Sequence, residues 1–140
     1  MTLYFESSAF VKLFLREDGS DLARSLWKSN AAVATSWLTF AEASAAIAAA
    51  KRSRRLTRVA STSATRALEK EWESITPLLV DGKVSRQAGV VAVRRRLRSL
   101  DAVHLATAMP LLAGPTIFVT FDGHLARAAR AEGFAVAGAV

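Results

Sequence analysis

Short runs of β-branched and aromatic residues alternate along this chain with longer stretches whose apolar positions recur at helical spacing. Thr2–Phe5 is the first such run, and Ser7 and Ser8 behind it are both suited to cap a helix predicted through Leu15. Glu17-Asp18-Gly19 reads as a turn. Ser20-Asp21 then opens a second helix to about Ser29, with Leu22, Leu26 and Trp27 on one face. Ala32–Thr35 reads as a small buried strand. Thr39 starts an Ala-rich helix that ends in the basic run Lys51-Arg52-Ser53-Arg54-Arg55, and another helix covers Arg58 to Ser74, ahead of Pro77. Leu78–Val80 is a third strand candidate, followed by a helix from Ser85 to Arg96. An apolar helix runs from Ser99 to Leu112, Thr116–Thr120 is the clearest strand, Asp122–Ala131 is helical, and Phe134–Val136 is a last short strand.

Strands separated by helices predict a parallel sheet covered on both faces, because parallel neighbours need a crossover. The expectation is a single α/β domain over residues 1–140, without internal repeats or linkers, burying roughly two-thirds of its unfolded surface. An apolar share of 51% with three Pro and seven Gly excludes disordered and collagen-like chains. Residues 102–121 lack Lys, Arg, Asp and Glu, but Pro110 and Gly114-Pro115 break the stretch into a helix and a strand. It reads as buried core, not as a membrane span. The start, Met1 to Phe5, has no basic segment and meets Glu6 before any long apolar run, so no secretory leader is predicted and the expected location is the cytoplasm. Without cysteine there is no disulfide framework, no zinc thiolate and no thiol nucleophile.

Charge adds a partner. Nineteen Lys and Arg against twelve Asp and Glu leave +7, which favours a polyanion such as nucleic acid, although a basic surface also serves solubility. Against that background four acids stand where ligands bind in such sheets, beyond the carboxyl ends of strands. Glu6 follows the first strand and Asp122 follows the Thr116–Thr120 strand, while Glu42 and Asp101 lie in the first turns of their helices. Each has a plainer explanation. Thr39-x-x-Glu42 has capping-box spacing, Asp122 is a good N-cap, Asp101 complements a helix dipole, and Glu6 suits a turn. Together they repel one another unless a cation compensates. Oxygen donors without Cys select Mg²⁺ or Mn²⁺ over zinc, and such an ion beside a basic surface suits phosphodiester hydrolysis.

Four segments then resemble, in order and spacing, the PIN-domain proteins, particularly the VapC-type toxins of bacterial toxin–antitoxin pairs. They are Tyr4-Phe5-Glu6-Ser7-Ser8-Ala9-Phe10-Val11-Lys12-Leu13, Phe40-Ala41-Glu42, Leu100-Asp101-Ala102-Val103-His104-Leu105-Ala106-Thr107-Ala108, and Phe118-Val119-Thr120-Phe121-Asp122. The resemblance covers the chain from Leu3 to about Val136. It implies a three-layer α/β/α fold with a central, mostly parallel sheet. It also implies an Mg²⁺-dependent endoribonuclease, with Mn²⁺ as substitute, often a homodimer and neutralised by a cognate VapB-like antitoxin. By position Glu6, Glu42, Asp101 and Asp122 match the acidic quartet, with Glu6, Asp101 and Asp122 on the metal and Ser8 and Thr120 in support. Glu6 departs from the pattern, which usually has Asp there. That extra methylene moves the carboxylate by up to about one C–C bond, and Mg²⁺ demands near-ideal geometry.

The remaining candidates each carry two readings. His104, three residues past Asp101, is either a base or ligand or, as an apolar helix favours, a packed histidine bonded to backbone or carboxylate. His124 is expected to be exposed. Trp27, Trp37 and Trp72 read as packing or interface residues rather than base-stacking platforms. Phe10, Phe14 and Leu15 are core by default and otherwise the groove for an antitoxin segment. Lys51, Arg52, Arg54 and Arg55, and the run Arg94–Arg98, are RNA-phosphate contacts or solvated helix ends. Two competing functions stand beside the nuclease. One is a weakly active or inactive PIN-fold module that binds RNA or a partner. The other is a receiver-type switch domain, which expects a Lys after a late strand, yet no Lys follows Lys83.

Overall fold

A computed structural model describes residues 1–139. In chain order the elements are β1 (Thr2–Phe5), α1 (Ser7–Val11), α2 (Ser20–Trp27), β2 (Ala32–Ala34), α3 (Leu38–Arg52), α4 (Arg58–Glu73) and α5 (Gly82–Arg95), then α6 (Ser99–Ala108), a 3₁₀ turn (Met109–Ala113), β3 (Thr116–Thr120), α7 (Gly123–Ala131) and β4 (Ala135–Gly138). The strands form one sheet in the order β2-β1-β3-β4, and every pairing is parallel. Strand order therefore reverses between β1 and β3, whose registers match Tyr4 to Phe118 and Phe5 to Val119. Crevices open at such a reversal, because the connections leave it toward opposite sides.

Period-two alternation splits the core into two layers. Tyr4 and Phe118 point to one face, where their rings stack at 5.2 Å over Val91, Leu105, Leu125 and Ala129 of α5–α7. Leu3, Phe5 and Val119 point to the other, meeting Phe10, Ala23, Ile47 and Leu68 of α1–α4. Each fully buried large side chain contributes about 1.5–3 kcal/mol. The expected three-layer α/β/α architecture is what forms. Among the described residues, no helix is long and apolar enough to cross a membrane.

Local differences from the sequence reading have identifiable causes. Leu78–Val80 makes only a single parallel bridge, Ser36 to Leu78, because Asp81 immediately caps α5 and turns the chain away. The apolar helix from Ser99 stops at Ala108 and tightens into the 3₁₀ turn, since Pro110 cannot continue the α-helical ladder. Beyond Val11, α1 likewise tightens into turns in which the N–H groups of Lys12, Leu13 and Phe14 bond three residues back, and Leu15 N–H closes the segment on Val11 O. The last strand sits slightly later than expected, at Ala135–Gly138. No capping box forms at Thr39: α3 starts one residue earlier, Ser36 Oγ accepts from Leu38 N, and Thr39 is buried under the Thr35 hydroxyl. Ser7 and Ser8 lie inside α1, whose N-cap is Glu6, and Ser20 lies inside α2, whose N-cap is Gly19.

Gly138 lets β4 close tightly on the end of β3. Its φ of +107° is a left-handed conformation, and a Cβ there would collide with the backbone oxygen of Thr120. Gly133, with φ +105°, has open space around it. Gly133→Ala is expected to cost only the strained backbone, about 1–3 kcal/mol. Gly138→Ala is expected to cost clearly more in thermal or urea denaturation, because β4 must also shift off β3. Equal losses for the two variants would contradict this packing.

Candidate active site

Glu6 stands where β1 becomes α1. Its side chain is 5% exposed, and both oxygens are held. Oε1 accepts from Ser8 N at 3.0 Å, so the carboxylate caps its own helix, and Oε2 accepts from the hydroxyls of Ser8 and Thr120, the latter at 2.7 Å. The two hydroxyls are themselves fixed: Ser8 Oγ accepts from Phe121 N at 2.9 Å and Thr120 Oγ1 from Asp122 N at 3.1 Å. The longer side chain thus folds back onto its own helix start instead of reaching straight outward. Asp122 caps α7 with one oxygen, accepting from Leu125 N at 2.9 Å.

The second half comes from the other layers. Glu42, near the start of α3, accepts from Ser7 Oγ at 2.7 Å and from His104 Nε2 at 2.6 Å, all on Oε1. His104 is 1% exposed, and its Nδ1 lies 2.9 Å from the Tyr4 hydroxyl. One ring nitrogen thus faces the Glu42 carboxylate and the other the Tyr4 hydroxyl. Burial, with Glu6 and Glu42 nearby, pushes the Tyr4 phenol well above its ordinary value, which keeps the phenol proton in place. Burial also pushes the Glu42 carboxyl up, but hydrogen bonds and charge from His104, with Ser7, outweigh it and hold the group below the ordinary glutamate value. Glu42 is therefore ionised at neutral pH. His104 is the packed, carboxylate-bonded histidine expected of an apolar helix, yet that carboxylate is one of the four acids.

All four acids line one cleft of about 400 Å³, with Ser7, Ser8, Lys12, Glu17 and Arg98 among its other walls. Five carboxylates there face two cationic side chains, in a chain whose net charge is +7. Lys12 pairs with Glu17 at 3.0 Å, and Arg98 reaches Asp101 only at 3.4 Å from an exposed position. The cleft keeps a surplus of negative charge. Among the described residues, though, no group of three or more His, Cys, Asp or Glu is already drawn together around one point.

Two kinds of residue escaped sequence reasoning. Ser7 and Tyr4 both bond His104, and through it and directly they hold Glu42, while Glu17 joins the rim although it reads as a turn acid. Nothing in their spacing marked them. Lys51, Arg52, Arg54 and Arg55 are exposed at the end of α3 and do not line the cleft; Arg55 touches its rim through Glu17 at 3.1 Å. Phe10 and Leu15 are buried and Phe14 packs against them, so these are core residues. Trp27 and Trp72 pack beside Phe10, Trp37 is 51% exposed, and His124 is exposed as expected.

An acid-lined cleft at the strand-order reversal of a parallel sheet defines a class of candidate hydrolytic site, and comparison with known proteins narrows it. The PIN domain model matches residues 3–131. Ribonuclease VapC45 of Mycobacterium tuberculosis (strain CDC 1551 / Oshkosh) is 39% identical over 135 residues, which is 96% of this chain and 94% of that protein. Ribonuclease VapC46 of strain H37Rv is 34% identical over 134 residues, 96% of this chain and 95% of the relative. Among solved structures, PAE2754 from Pyrobaculum aerophilum aligns with a TM-score of 0.68 at 25% identity, over 100% of this chain and 88% of its own. VapBC2 from Rickettsia felis, bound to a DNA fragment from their promoter, has the same fold at 12% identity, with a TM-score of 0.68 over 99% of this chain and 98% of that one. The chain belongs to the PIN-domain family, with VapC-type proteins as its relatives.

The Tyr4–His104 link gives a direct test. Tyr4→Phe removes the hydroxyl while filling the same space, leaving Nδ1 buried without a partner. The expected loss is about 1–3 kcal/mol in urea denaturation. A loss below about 0.5 kcal/mol, the ordinary range for surface changes, would mean that the hydroxyl does not hold His104.

Proposed function

We propose that this protein is a metal-dependent endoribonuclease toxin that hydrolyses RNA phosphodiester bonds and is neutralised by a cognate VapB-like antitoxin. The observation that carries this reading is the gathering of Glu6, Glu42, Asp101 and Asp122 in one cleft of a chain that is otherwise cationic. The names of its relatives, ribonucleases of the VapC type, support the substrate. The toxin–antitoxin complex from Klebsiella pneumoniae, like this fold at a TM-score of 0.61 and 16% identity, supports the architecture alone.

The donor set fits a hard divalent cation, Mg²⁺ with Mn²⁺ as substitute. It consists of oxygens only, and among the described residues Glu42, Asp101 and Asp122 each keep one carboxylate oxygen without a protein partner. Mg²⁺ usually keeps several waters and takes one or two carboxylates plus a substrate phosphate, so a preformed cage is not required. Glu6, Asp101 and Asp122 are the residues that would hold it. When bound, such an ion lowers the pKa of water and neutralises charge on the leaving oxygen. Glu42, ionised and fixed through Oε1, accepts the proton of the attacking water on its free Oε2. Ser8 and Thr120 keep Glu6 oriented, and Arg98 faces the phosphate. The basic run Lys51, Arg52, Arg54 and Arg55 adds to the long-range attraction of RNA.

We also read residues 1–140 as one domain acting in the cytoplasm as a homodimer. Val90 and Val93, exposed on α5 beside an apolar hollow with Met109 and Pro110, support the pairing. One observation favours a second reading, a weakly active or inactive RNA- or partner-binding module: both oxygens of Glu6 already serve Ser8 and Thr120.

Cleavage assays with end-group analysis separate the two. The nuclease reading predicts cleavage with Mg²⁺ or Mn²⁺, loss in EDTA, and products with 5′-phosphate and 3′-hydroxyl ends, since a water nucleophile needs no 2′-hydroxyl. Asp101→Asn should lower the rate by at least about 100-fold, the scale lost when one electrostatic stabiliser is removed, with the fold intact. Undiminished cleavage in EDTA, or 2′,3′-cyclic phosphate ends, would contradict it.

A further inference from the structure

Beside the acid cleft lies a second concavity of opposite sign. It encloses about 250 Å³ between the end of α5 and the start of α7, lined by Arg94, Arg95, Arg96, His124 and Arg127. Glu132 is the acid that answers this group, taking Arg94 at 2.8 Å and Arg95 at 2.7 Å. Among the described residues, neither Arg96 nor Arg127 pairs with a carboxylate. Two guanidinium groups thus share one hollow without an internal counter-ion.

The backbone at Arg96 is unusual as well. It terminates α5 in the left-handed conformation, φ 54° and ψ 47°, where glycine is the unstrained choice and a Cβ costs of order 1–2 kcal/mol. His124 Nε2 lies 3.0 Å from Arg96 O and fixes this turn against the start of α7. The chain therefore holds a long cation at a position whose local geometry favours no side chain.

The two hollows adjoin. Arg96 lines the basic one and Arg98 the acidic one; His124 lines the basic one and Asp122 the acidic one. Each segment crosses between them in two residues, at most about 7 Å of chain. By contrast, Lys51 and Arg52 lie nine and ten residues past Glu42 on one helix, about 15 Å along its axis.

We propose that the hollow of Arg96, His124 and Arg127 is a phosphate subsite for single-stranded RNA flanking the bond to be cut. This rests on the ribonuclease reading and names where its substrate is gripped. Arginine suits the task because its planar fork donates two parallel hydrogen bonds to a phosphate. Bound there, the strand enters the cleft past Arg98, and the phosphate next to the acids is held by its neighbours instead of by the negatively charged cleft itself. The subsite positions the strand without reading its bases.

The test uses the full chain carrying Asp101→Asn, in EDTA, so that a fluorescein-labelled single-stranded RNA of about a dozen nucleotides is bound and not cut. Fluorescence anisotropy is followed across a salt series. Adding Arg96→Gln and Arg127→Gln is expected to weaken binding at least about tenfold and to lower the slope of log K against log salt by roughly 1.4, about 0.7 for each lost phosphate contact. Lys51→Gln with Arg52→Gln should change the slope by less than half as much. Arg96→Gly removes the same cation while relieving the backbone, so weaker RNA binding by this variant excludes misfolding as the cause. Unchanged affinity and slope, with RNA still bound by the parent, would overturn the subsite and leave the nuclease reading intact. A loss confined to duplex DNA or to antitoxin binding would also overturn it. Failure of the parent to bind RNA, together with failure of the wild-type chain to cleave it with Mg²⁺ or Mn²⁺, would overturn both.

Discussion

The carboxylate of Glu6 is the constraint on which the site depends. A buried polar group is tolerated only when hydrogen bonds replace water, and here a backbone N–H and two hydroxyls do so. The donors come from two places: Ser8 belongs to the helix that leaves β1, and Thr120 ends β3. Holding Glu6 therefore fixes how the ends of two neighbouring strands meet. The same hydroxyls receive the N–H groups of Phe121 and Asp122, which sets where α7 begins and where Asp122 stands. One side chain organises both halves of the strand-order reversal.

Glu42 is positioned from the opposite direction. Tyr4 projects from β1 to the face covered by α5–α7, His104 comes from α6, and Ser7 opens α1, yet all three converge on one oxygen of an α3 carboxylate directly or through the imidazole. The network passes around the end of the sheet and joins the two helical layers. Its outer oxygen is left to the cleft. Arg96, the last of the arginines at the end of α5, stands two residues along the chain from Arg98, which lines this acidic cleft.

Much of this was legible in the sequence. Strand formers separated by helical repeats marked β1, β2 and β3 with the intervening helices, and the parallel sheet is a consequence of that order. The four acids were visible because each stands at a strand end or helix start, and those ends meet in a doubly wound sheet. The Leu78–Val80 strand failed because one hydrogen-bonded bridge and a full strand look alike in three residues. The capping box failed because Ser36 and Thr35, both small and polar, offered the backbone a better arrangement than Thr39. Tyr4 and Ser7 were illegible for a different reason. Their partner lies about a hundred residues away, and no local pattern encodes that contact. The basic hollow was half legible: Arg94–Arg98 stood out as a run, but Arg127 joins it only through the packing of α7.

Thermal denaturation of the full chain with and without divalent cations tests the central claim, that these acids are kept together for a cation. If the folded state binds the ion and the unfolded state does not, stability rises by about 2.7 kcal/mol when the ion is at a hundred times its Kd. The expected result is a rise in Tm that grows with Mg²⁺ or Mn²⁺ concentration in the wild type and is largely lost in Asp101→Asn, with monovalent salt held constant. A flat Tm in the wild type, or an equal rise in the variant, would contradict it.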